Sequence, residues 1–293
     1  MKEIFSCPVC NGALSRLDRT YKCQSGHSFD ISKEGYVNLL LSNKNSDTSG
    51  DDKEMVRART AFLDGGYYSP LRERMYKLIK ELCPDSPVIL DAGCGEGYYT
   101  SLYSTLSDST FGIDISKSAV KHAAKRCKNA SFAISSVYHM PVTDESCDII
   151  INCFSPNAPD EFSRVLKNGG YLLYVVPAPR HLWELKSVLY DTPYENEEKE
   201  EMYDGFELLK IEKVTTCFTL DTNEKILSLF HMTPYTWNTP KDSAERLSGL
   251  DRLCVTADFR IHVFKKVKKR FLQTEPSLLL SGEFLPTFAS GQK

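Results

Sequence analysis

The sequence predicts an α/β fold in which a mostly parallel sheet carries helices on both faces, preceded by a small metal-binding module. Three observations predict this. Beyond residue 87, apolar strand-like runs alternate with helical stretches, which is typical of parallel sheets. A glycine-rich turn follows the first of these runs, and paired cysteines lie near the N-terminus. The 293-residue length suits one large domain and one small one.

Composition and charge narrow the class of protein. The chain has no apolar run near the roughly 20 residues that span a bilayer, and its start, MKEIFSCPVC, lacks the pattern of a secretory signal. We therefore expect a soluble, cytoplasmic protein without membrane contact, whose ten cysteines serve metal binding or packing. The net charge of −3 gives no global sign of a nucleic-acid partner, so any RNA binding must come from a local patch.

The pattern of residues predicts the elements in order. Short strand-like pieces occupy residues 1–34, a polar run over 43–52 predicts a flexible loop, and residues 53–83 have helical spacing interrupted at Gly65 and Gly66. The strand-like runs that follow are 88–95, 109–116, 130–135, 147–154 and 170–177. Ser116 is placed to begin a helix, and the Gly169–Gly170 pair is expected to end one.

The C-terminal third adds a strand, a helix and a strand, over residues 206–220, 223–237 and 255–266. The acidic stretch 191–204 is most simply a solvated loop. The tail from residue 271 has two prolines and no regular period, and we expect it to be disordered.

The strongest chemical signal is the turn after the first strand. Its glycines, at positions 93, 95 and 97, let the backbone turn sharply and approach a ligand. Tyr98 stands where a dinucleotide fingerprint needs glycine or alanine, which disfavours NAD and FAD. Asp114, 23 residues after Asp91 at the end of the next strand, suits the two hydroxyls of a ribose. The pattern predicts S-adenosylmethionine (SAM), bound by Asp91, Gly93, Gly95, Glu96, Gly97 and Asp114.

A plainer interpretation is that the glycine turn only packs a strand against a helix. The acid at position 114 and the five alternating strands favour the cofactor instead. Ser136 and Val137 follow the third strand, where an adenine ring commonly lies, although an ordinary loop would also explain them. The predicted fold is therefore a class I SAM-dependent methyltransferase domain, Rossmann-like, with an N-terminal zinc-binding module.

The zinc-binding module is predicted from Cys7, Cys10, Cys23 and His27, a CxxC pair followed by a CxxxH pair. Such spacing brings four donors to one tetrahedral zinc, and four protein ligands leave no position for a reacting water, so the zinc is structural. The alternative is four unrelated residues in a small apolar module. The other cysteines show no pairing and are interpreted as packing residues.

Several long motifs resemble one family, the bacterial 23S rRNA (guanine-N1)-methyltransferases, which includes a tylosin (macrolide) resistance member. The resemblance covers residues 5 to about 266. The motifs are FSCPVC, FDISKEGYVNLL (29–40), GDDKEMVRARTAFLDGGYYSPL (50–71), LDAGCGEGYYT (90–100), PAPRHLWELK (177–186) and HMTPYTW (231–237). The chain departs from the family pattern in SPNAPDEF (155–162), where the target base is expected to approach, and in the tail.

The resemblance implies methylation of guanine N1 in a hairpin loop of 23S rRNA or of a large-subunit precursor. It also implies that Tyr68 and His181 line the SAM pocket with Gly95 and Glu96; the residues alone would make Tyr68 a core aromatic and His181 a surface residue. An aromatic ring suits a sulfonium through a cation–π contact. The implied domains are 1–34 (zinc module), 35–86 (linker and helices), 87–270 (methyltransferase) and 271–293 (tail).

Three points stay open at the level of sequence. The general base is unassigned among Asp160, Glu161, Glu184 and His231, and the oligomeric state is open, with a homodimer among the expectations. The RNA-facing surface is hypothesised to combine the zinc module with the helices around Arg57, Arg59, Arg72 and Arg74. Two other functions compete: a methyltransferase of a small metabolite, and a zinc-containing RNA or protein adaptor with an inactive SAM domain.

Overall fold

The computed structural model of the protein describes residues 3–41, 50–198 and 202–268, which fold around one large mixed sheet. The tail that was expected to be disordered, 271–293, and most of the predicted loop at 43–52 lie outside the described residues. No helix within the described ranges is long and apolar enough to cross a membrane.

Strands and helices follow the predicted order with three differences: residues 36–38, in the segment predicted as linker and helices, form a strand; the predicted helix 223–237 divides after residue 231; and residues 241–248 form an additional helix. The strands are β1 (Ser15–Leu17), β2 (Thr20–Lys22), β3 (Ser28–Asp30), β4 (Tyr36–Asn38), β5 (Ile89–Ala92), β6 (Thr110–Asp114), β7 (Ala130–Ile134), β8 (Cys147–Cys153), β9 (Leu166–Pro177), β10 (Phe206–Leu220) and β11 (Leu253–Lys266). The helices are α1 (Lys53–Asp64), α2 (Ser69–Leu82), α3 (Tyr98–Tyr103), α4 (Lys117–Arg126), α5 (Pro159–Val165), α6 (Trp183–Leu189), α7 (Asn223–His231), α8 (Tyr235–Asn238) and α9 (Lys241–Ser248).

The main sheet has the strand order β10-β11-β9-β8-β5-β6-β7-β4 in the described part of the chain. Strands β4 to β9 pair in parallel, and β10 and β11 add an antiparallel hairpin beyond β9. The order of connections reverses at β5, which lies between β6 and β8. In open α/β sheets such a switch point opens a crevice at the carboxyl ends of the strands, and ligands bind there.

Apolar packing covers both faces of this sheet. On one face, α1, α2 and α7 bury Phe62, Leu71 and Leu229 against the strands. On the other face, Phe5 of the N-terminal module packs edge-on against Phe111 of β6, with ring centroids 5.4 Å apart. Both faces are buried, as a parallel sheet requires.

The N-terminal module joins the main sheet. Strands β1, β2 and β3 form a small antiparallel sheet, and β4 then pairs in parallel with β7, Tyr36 opposite Phe132. Backbone hydrogen bonds also link residues 4 and 6 to the segment 141–143. Apolar side chains of the module pack with those on the same face of the main sheet in one hydrophobic cluster, which we call the second core. The module is therefore continuous with the rest of the fold.

Two local predictions are confirmed. The helical run 53–83 divides at Gly65 and Gly66, and α2 begins at Ser69. Ser116 caps α4, its hydroxyl accepting the backbone N–H of Ala119 at 3.2 Å. A side-chain acceptor at this position satisfies an N–H that the helix itself leaves free.

The expectation that Gly169 and Gly170 end a helix is wrong. Helix α5 ends earlier, at Val165, and both glycines lie inside β9. Gly169 has a φ of +80°, and a Cβ on Gly170 would lie 2.9 Å from the backbone oxygen of Asp148 in β8. The pair therefore bends the strand and lets two backbones approach closely. Glycine can have this role directly after a helical segment, where it resembles a helix-ending glycine in sequence.

The described part of the acidic stretch 191–204, residues 191–198, is an irregular loop, as predicted, with a few specific contacts to the rest of the fold. Asn196 donates to the backbone oxygen of Ala178 at 2.8 Å and accepts from the ammonium of buried Lys186 at 2.8 Å. Glu198 pairs with Arg260 at 3.0 Å. Buried Lys186 and Arg260 need such partners, while six of the eight described residues 191–198 are exposed, as a solvated loop predicts.

Candidate active site and metal centre

The glycine turn lies between β5 and α3, at the switch point of the sheet. Gly93, Gly95 and Gly97 all have a positive φ, at 89°, 55° and 82°. A Cβ on Gly93 would overlap the side chain of Ser155, and one on Gly97 would lie 2.9 Å from the Cα of Ala123. Backbone conformation disfavours a side chain at all three positions. Space also excludes one at Gly93 and Gly97, whereas a Cβ on Gly95 would meet only Nη1 of Arg59 at 3.8 Å.

Asp114 connects this turn to the end of the next strand. Its two carboxylate oxygens accept the backbone N–H groups of Gly95, at 2.9 Å, and Ser116, at 2.8 Å. Burial raises the pKa of Asp114, and the two backbone hydrogen bonds oppose that rise. A carboxylate oxygen has two lone pairs, so each keeps acceptor capacity for a hydroxyl of a ligand.

Asp91 lies in β5, two residues before Gly93. It is 1% exposed and accepts the hydroxyl of Thr100 in α3 at 2.6 Å. Burial raises its pKa to about 7. This carboxyl group supports the turn from beneath by joining β5 to the helix that follows it.

Glu96 is a buried acid inside the turn with an acceptor to spare. It is 3% exposed, and burial raises its pKa. Its Oε1 has no hydrogen-bond partner among the described residues, and the nearest cation, Nη2 of Arg126, lies 3.9 Å away. A buried acceptor without a partner is costly, so it fits the donor of a polar ligand such as SAM.

Ser136 and Val137 lie just past β7, next to Asp114. The N–H of Ser135 donates to the backbone oxygen of Asp114 at 2.9 Å, which holds this loop beside Asp114, the residue predicted to bind the ribose. Val137 is buried and Ser136 is half-buried. An apolar side chain with neighbouring backbone polar groups suits a flat heteroaromatic ring.

Tyr68 and His181 meet although they are far apart in sequence. The Tyr68 hydroxyl lies 3.5 Å from Nε2 of His181, and both side chains pack edge-on or tilted against Phe259, at 4.8 and 4.9 Å. Nδ1 of His181 is 3.0 Å from the backbone oxygen of Asp258. Burial lowers the pKa of His181 to about 4, so the ring is neutral at physiological pH.

The turn after β8 contacts the glycine turn. Its Ser155 and Pro156 belong to the segment 155–162 where the sequence analysis expects the target base, whereas Asn152 and Phe154 were not singled out from the sequence. Asn152 donates to the backbone oxygens of Ala92, at 3.3 Å, and Pro156, at 3.0 Å, so it ties this turn to the glycine turn. Phe154 lies in the same turn, between Asn152 and Pro156 in sequence. Its ring centroid is 6.4 Å from that of His181. Its position at the end of the strand beside β5 is the signal that a search of the sequence alone could have used.

Among the described residues, the four candidate general bases are either exposed or hydrogen-bonded to other partners. Glu161 accepts from Arg164 and from the backbone N–H of Met140, and Glu184 accepts twice from Thr256. Asp160 is exposed on α5 and His231 is exposed at the end of α7. Over the described ranges, no hydrogen bond or ring contact joins any of the four to Tyr68, His181 or Phe154.

The structure brings together the four residues of the predicted metal centre. Atoms able to bind a metal in Cys7, Cys10, Cys23 and His27 all lie within 4.8 Å of one another. Nδ1 of His27 is 3.3 Å from Sγ of Cys23 and 3.5 Å from Sγ of Cys7, and the Cys10 and Cys23 sulfurs are 3.7 Å apart. Tetrahedral zinc with bonds of about 2.3 Å places its sulfur ligands about 3.8 Å apart, so this cluster fits zinc.

Comparison with known proteins places both parts of the chain. Residues 5–47 match the model of the zinc ribbon described as "RlmA, N-terminal", and residues 90–174 match the model of a methyltransferase domain. The second range spans β5 to β9 and so includes the glycine turn, Asp114 and the turn after β8.

Relatives match over nearly the whole chain. A 23S rRNA (guanine(748)-N(1))-methyltransferase of Streptomyces fradiae is 32% identical over 87% of this chain and 95% of its own length. The YxjB protein of Bacillus subtilis (strain 168) is 31% identical over 90% and 98%. A protein of Micromonospora griseorubida is 30% identical over 89% and 97%. Similarity of this extent covers the metal centre, the crevice and the C-terminal hairpin together.

Proposed function

Because the chain belongs to the family of 23S rRNA (guanine-N1)-methyltransferases, we propose that it methylates N1 of a guanine in an unpaired 23S rRNA loop, with SAM as methyl donor. The observation that carries the proposal is the 32% identity to the Streptomyces fradiae enzyme over 87% of the chain. The contacts around the glycine turn and the Cys3His cluster support it from within the molecule.

SAM supplies an electrophilic methyl group on a sulfonium. In this proposal Asp114 holds the ribose hydroxyls, and Ser136 and Val137 flank the adenine. The glycine turn, with Gly93, Gly95, Glu96 and Gly97, receives the amino-acid end. Asp91 supports that turn through Thr100, and its contact with SAM stays a prediction.

Tyr68 and His181 are proposed to line the pocket near the sulfonium. Both are buried, and the imidazole is neutral because burial lowers the pKa of His181 to about 4. A neutral ring beside a cationic sulfonium avoids the repulsion that a charged one would cause, and an aromatic face attracts the cation. These two residues therefore favour binding of SAM without repelling its positively charged sulfonium.

The acceptor places its own demands on the protein. Guanine N1 carries a proton and is masked in a base pair, so the enzyme must meet an unpaired or extruded base. Transfer is an in-line attack of the base on the sulfonium methyl group, during which the positive charge of the sulfonium is dispersed. Correct positioning of the two reactants therefore supplies much of the catalysis. Near Phe154, His181 is a weak base because burial lowers its pKa to about 4, which suits positioning more than strong general-base assistance.

The RNA path is proposed to run along the zinc module and α1. Arg57 is exposed and makes no ion pair among the residues that the structure describes. Arg74 is held by Glu81 and Glu212 at 2.9 and 2.6 Å, and Arg72 stacks on the Tyr98 ring at 4.3 Å. Arg59 pairs with Asp51. Of the four arginines first considered, Arg57 is the one free to contact phosphate.

The test is methyl transfer to a 23S rRNA transcript, read by primer extension. A methyl on N1 blocks base pairing and stops the polymerase, so zinc-loaded protein with SAM should produce one new stop that an Asp114→Ala variant weakens. Absence of a stop with the wild-type protein would overturn the proposal and favour a small-metabolite methyltransferase or an inactive adaptor. A homodimer and a cytoplasmic location remain predictions.

A further inference from the structure

The residue that ends β8 has an unusual conformation. Phe154 has a φ of +56°, in the left-handed region, and its side chain is 44% exposed. Large side chains are disfavoured at positive φ, where glycine or asparagine is usual. The fold therefore keeps an exposed aromatic ring at a position where a smaller residue would be less strained, and such strain is concentrated at functional sites.

The backbone around Phe154 is held firmly in this conformation. The N–H of Phe154 donates to the backbone oxygen of Val175 in β9 at 3.2 Å. Asn152, which is fully buried, fixes the turn by donating to Pro156 at 3.0 Å and to Ala92 at 3.3 Å. The ring therefore stands on a rigid support that is connected to both neighbouring strands of the sheet.

The position of the ring relates it to the proposed donor pocket. Its centroid lies 6.4 Å from that of His181 and 5.6 Å from that of Phe259. The next residue, Ser155, fills the space where a Cβ of Gly93 would be. One side of Phe154 thus rests on the aromatic group around His181, and the exposed part of the ring faces outward beside the glycine turn.

We propose that Phe154 is the platform on which the acceptor guanine stacks while its N1 edge faces the methyl donor. This rests on the proposed function. Attack on the methyl group uses the in-plane lone pair that N1 gains when its proton passes to water; the N1–C bond then forms as the S–C bond of the sulfonium breaks and S-adenosylhomocysteine leaves. The plane of the base therefore has to be fixed relative to the sulfonium. A rigid aromatic face fixes that plane, and extruded bases are commonly held by stacking on aromatic side chains.

Phe154 is a positioning residue in this account, since stacking recognises any base and moves no proton. It should affect the RNA substrate alone. SAM affinity should change far less than kcat/KM for RNA when the ring is removed, because most groups proposed to bind SAM lie on or next to β5, β6 and β7. His181, after β9, lies near the Phe154 ring, at 6.4 Å between centroids, and keeps its own packing against Phe259.

The experiment compares a series at position 154 on the same transcript, with primer extension giving kcat/KM for RNA and calorimetry giving the SAM affinity. Phe154→Ala and Phe154→Leu should lower kcat/KM for RNA by roughly 10- to 100-fold, the usual effect of losing one stacked base. Phe154→Tyr and Phe154→Trp should retain most of it. Leu209→Ala, which removes an equally exposed apolar side chain (43%) from β10, is the matched control and should be neutral.

Phe154→Gly separates stacking from stability. Glycine adopts a positive φ without strain, so this variant should melt at or above the wild-type temperature and still lose activity on RNA. The methylated guanine, once mapped, can be replaced by 2-aminopurine, whose fluorescence should be quenched on binding to wild-type protein and less so with Phe154→Leu.

Each outcome decides a different claim. An active wild-type protein whose Ala, Leu and Gly variants keep full kcat/KM for RNA would overturn the platform and leave the proposed function standing. Equal loss of SAM affinity in those variants would assign Phe154 to the donor pocket and would also overturn it. A wild-type protein that produces no primer-extension stop would overturn the proposed function and the platform together.

Discussion

The hydroxyl of Tyr68 lies 3.5 Å from Nε2 of His181, and 113 residues separate the two in sequence. Tyr68 is the residue before α2, and His181 follows β9. Their contact joins the helical segment that precedes the methyltransferase sheet to the carboxyl edge of that sheet. The proposed donor pocket is therefore built from both sides of this contact.

The first prediction concerns acid stability. Burial lowers the pKa of His181 to about 4 in the folded protein, whereas an unfolded histidine titrates near 6.5. Between these values the unfolded chain binds more protons, so the free energy of unfolding falls as pH falls from about 6.5 to about 4. This residue alone should account for about 3 kcal/mol of the loss.

Urea unfolding at a series of pH values measures this effect. The difference in stability between wild-type protein and His181→Asn should shrink as pH falls through that window. A difference that is the same at neutral pH and near pH 4.5 would show that the buried imidazole is not kept neutral.

The second prediction concerns Asp114. Replacing it with Ala removes the acceptor of the Gly95 and Ser116 N–H groups as well as the proposed ribose contact. SAM binding should weaken by about 1 to 3 kcal/mol, measured by calorimetry. Asp148→Ala is the control, because that carboxylate also accepts a backbone N–H, from Val88 at 2.9 Å, and lies at the other end of the strands. An unchanged SAM affinity in Asp114→Ala would show that the ribose does not bind to Asp114.

The third prediction concerns the glycine turn. Gly93→Ala places a Cβ against Ser155 in a backbone with a φ of +89°. We expect a loss of about 1 to 3 kcal/mol in stability from overpacking, together with loss of SAM binding, measured by thermal melts with and without SAM. Gly249→Ala meets open space without a positive φ and should be neutral. A Gly93→Ala protein that melts and binds SAM like wild type would mean that the turn can shift freely.

The fourth prediction concerns the metal. Elemental analysis should find one zinc per chain and none in the Cys7→Ser, Cys10→Ser double variant. The double variant should also melt at a lower temperature, because residues 4 and 5, next to the metal ligands, belong to the second core. Structural zinc contributes directly to folding. Cys217→Ser, at an exposed cysteine of β10, is the control and should keep its zinc. Full zinc content in the double variant would disprove this ligand set.

The fifth prediction concerns the path of RNA. Arg57→Ala should reduce the slope of log binding constant against log salt by roughly 0.7 to 0.9, the contribution of one phosphate contact. Arg74→Ala should leave the slope unchanged, because two glutamates already hold that guanidinium. Binding is measured by titration of a labelled hairpin at several salt concentrations. Equal slopes for Arg57→Ala and wild type would remove Arg57 from the interface.

Local signals explain what could be predicted from the sequence. The strands beyond residue 87, the cap at Ser116 and the spacing of Cys7, Cys10, Cys23 and His27 depend on residues close together in the chain. The family relation also follows from such motifs and is supported by the relatives.

Long-range contacts explain what could not. Nothing near His181 in sequence shows that Tyr68 will meet it, and nothing near Glu198 shows that Arg260 will need a counter-charge. Gly169 and Gly170 were misread because glycine serves helix ends and strand bends alike, and only the approach of Asp148 distinguishes the two. The left-handed Phe154 likewise depends on hydrogen bonds from neighbouring strands.

The pairing of β4 with β7 sets an order for folding during synthesis. Tyr36 leaves the ribosome roughly a hundred residues before Phe132, its partner in the sheet. The zinc ligands are complete once His27 has emerged, so the metal can fold the first segment long before the sheet exists. Strand β4 then offers an open edge at which β7 pairs once β7 has been synthesised.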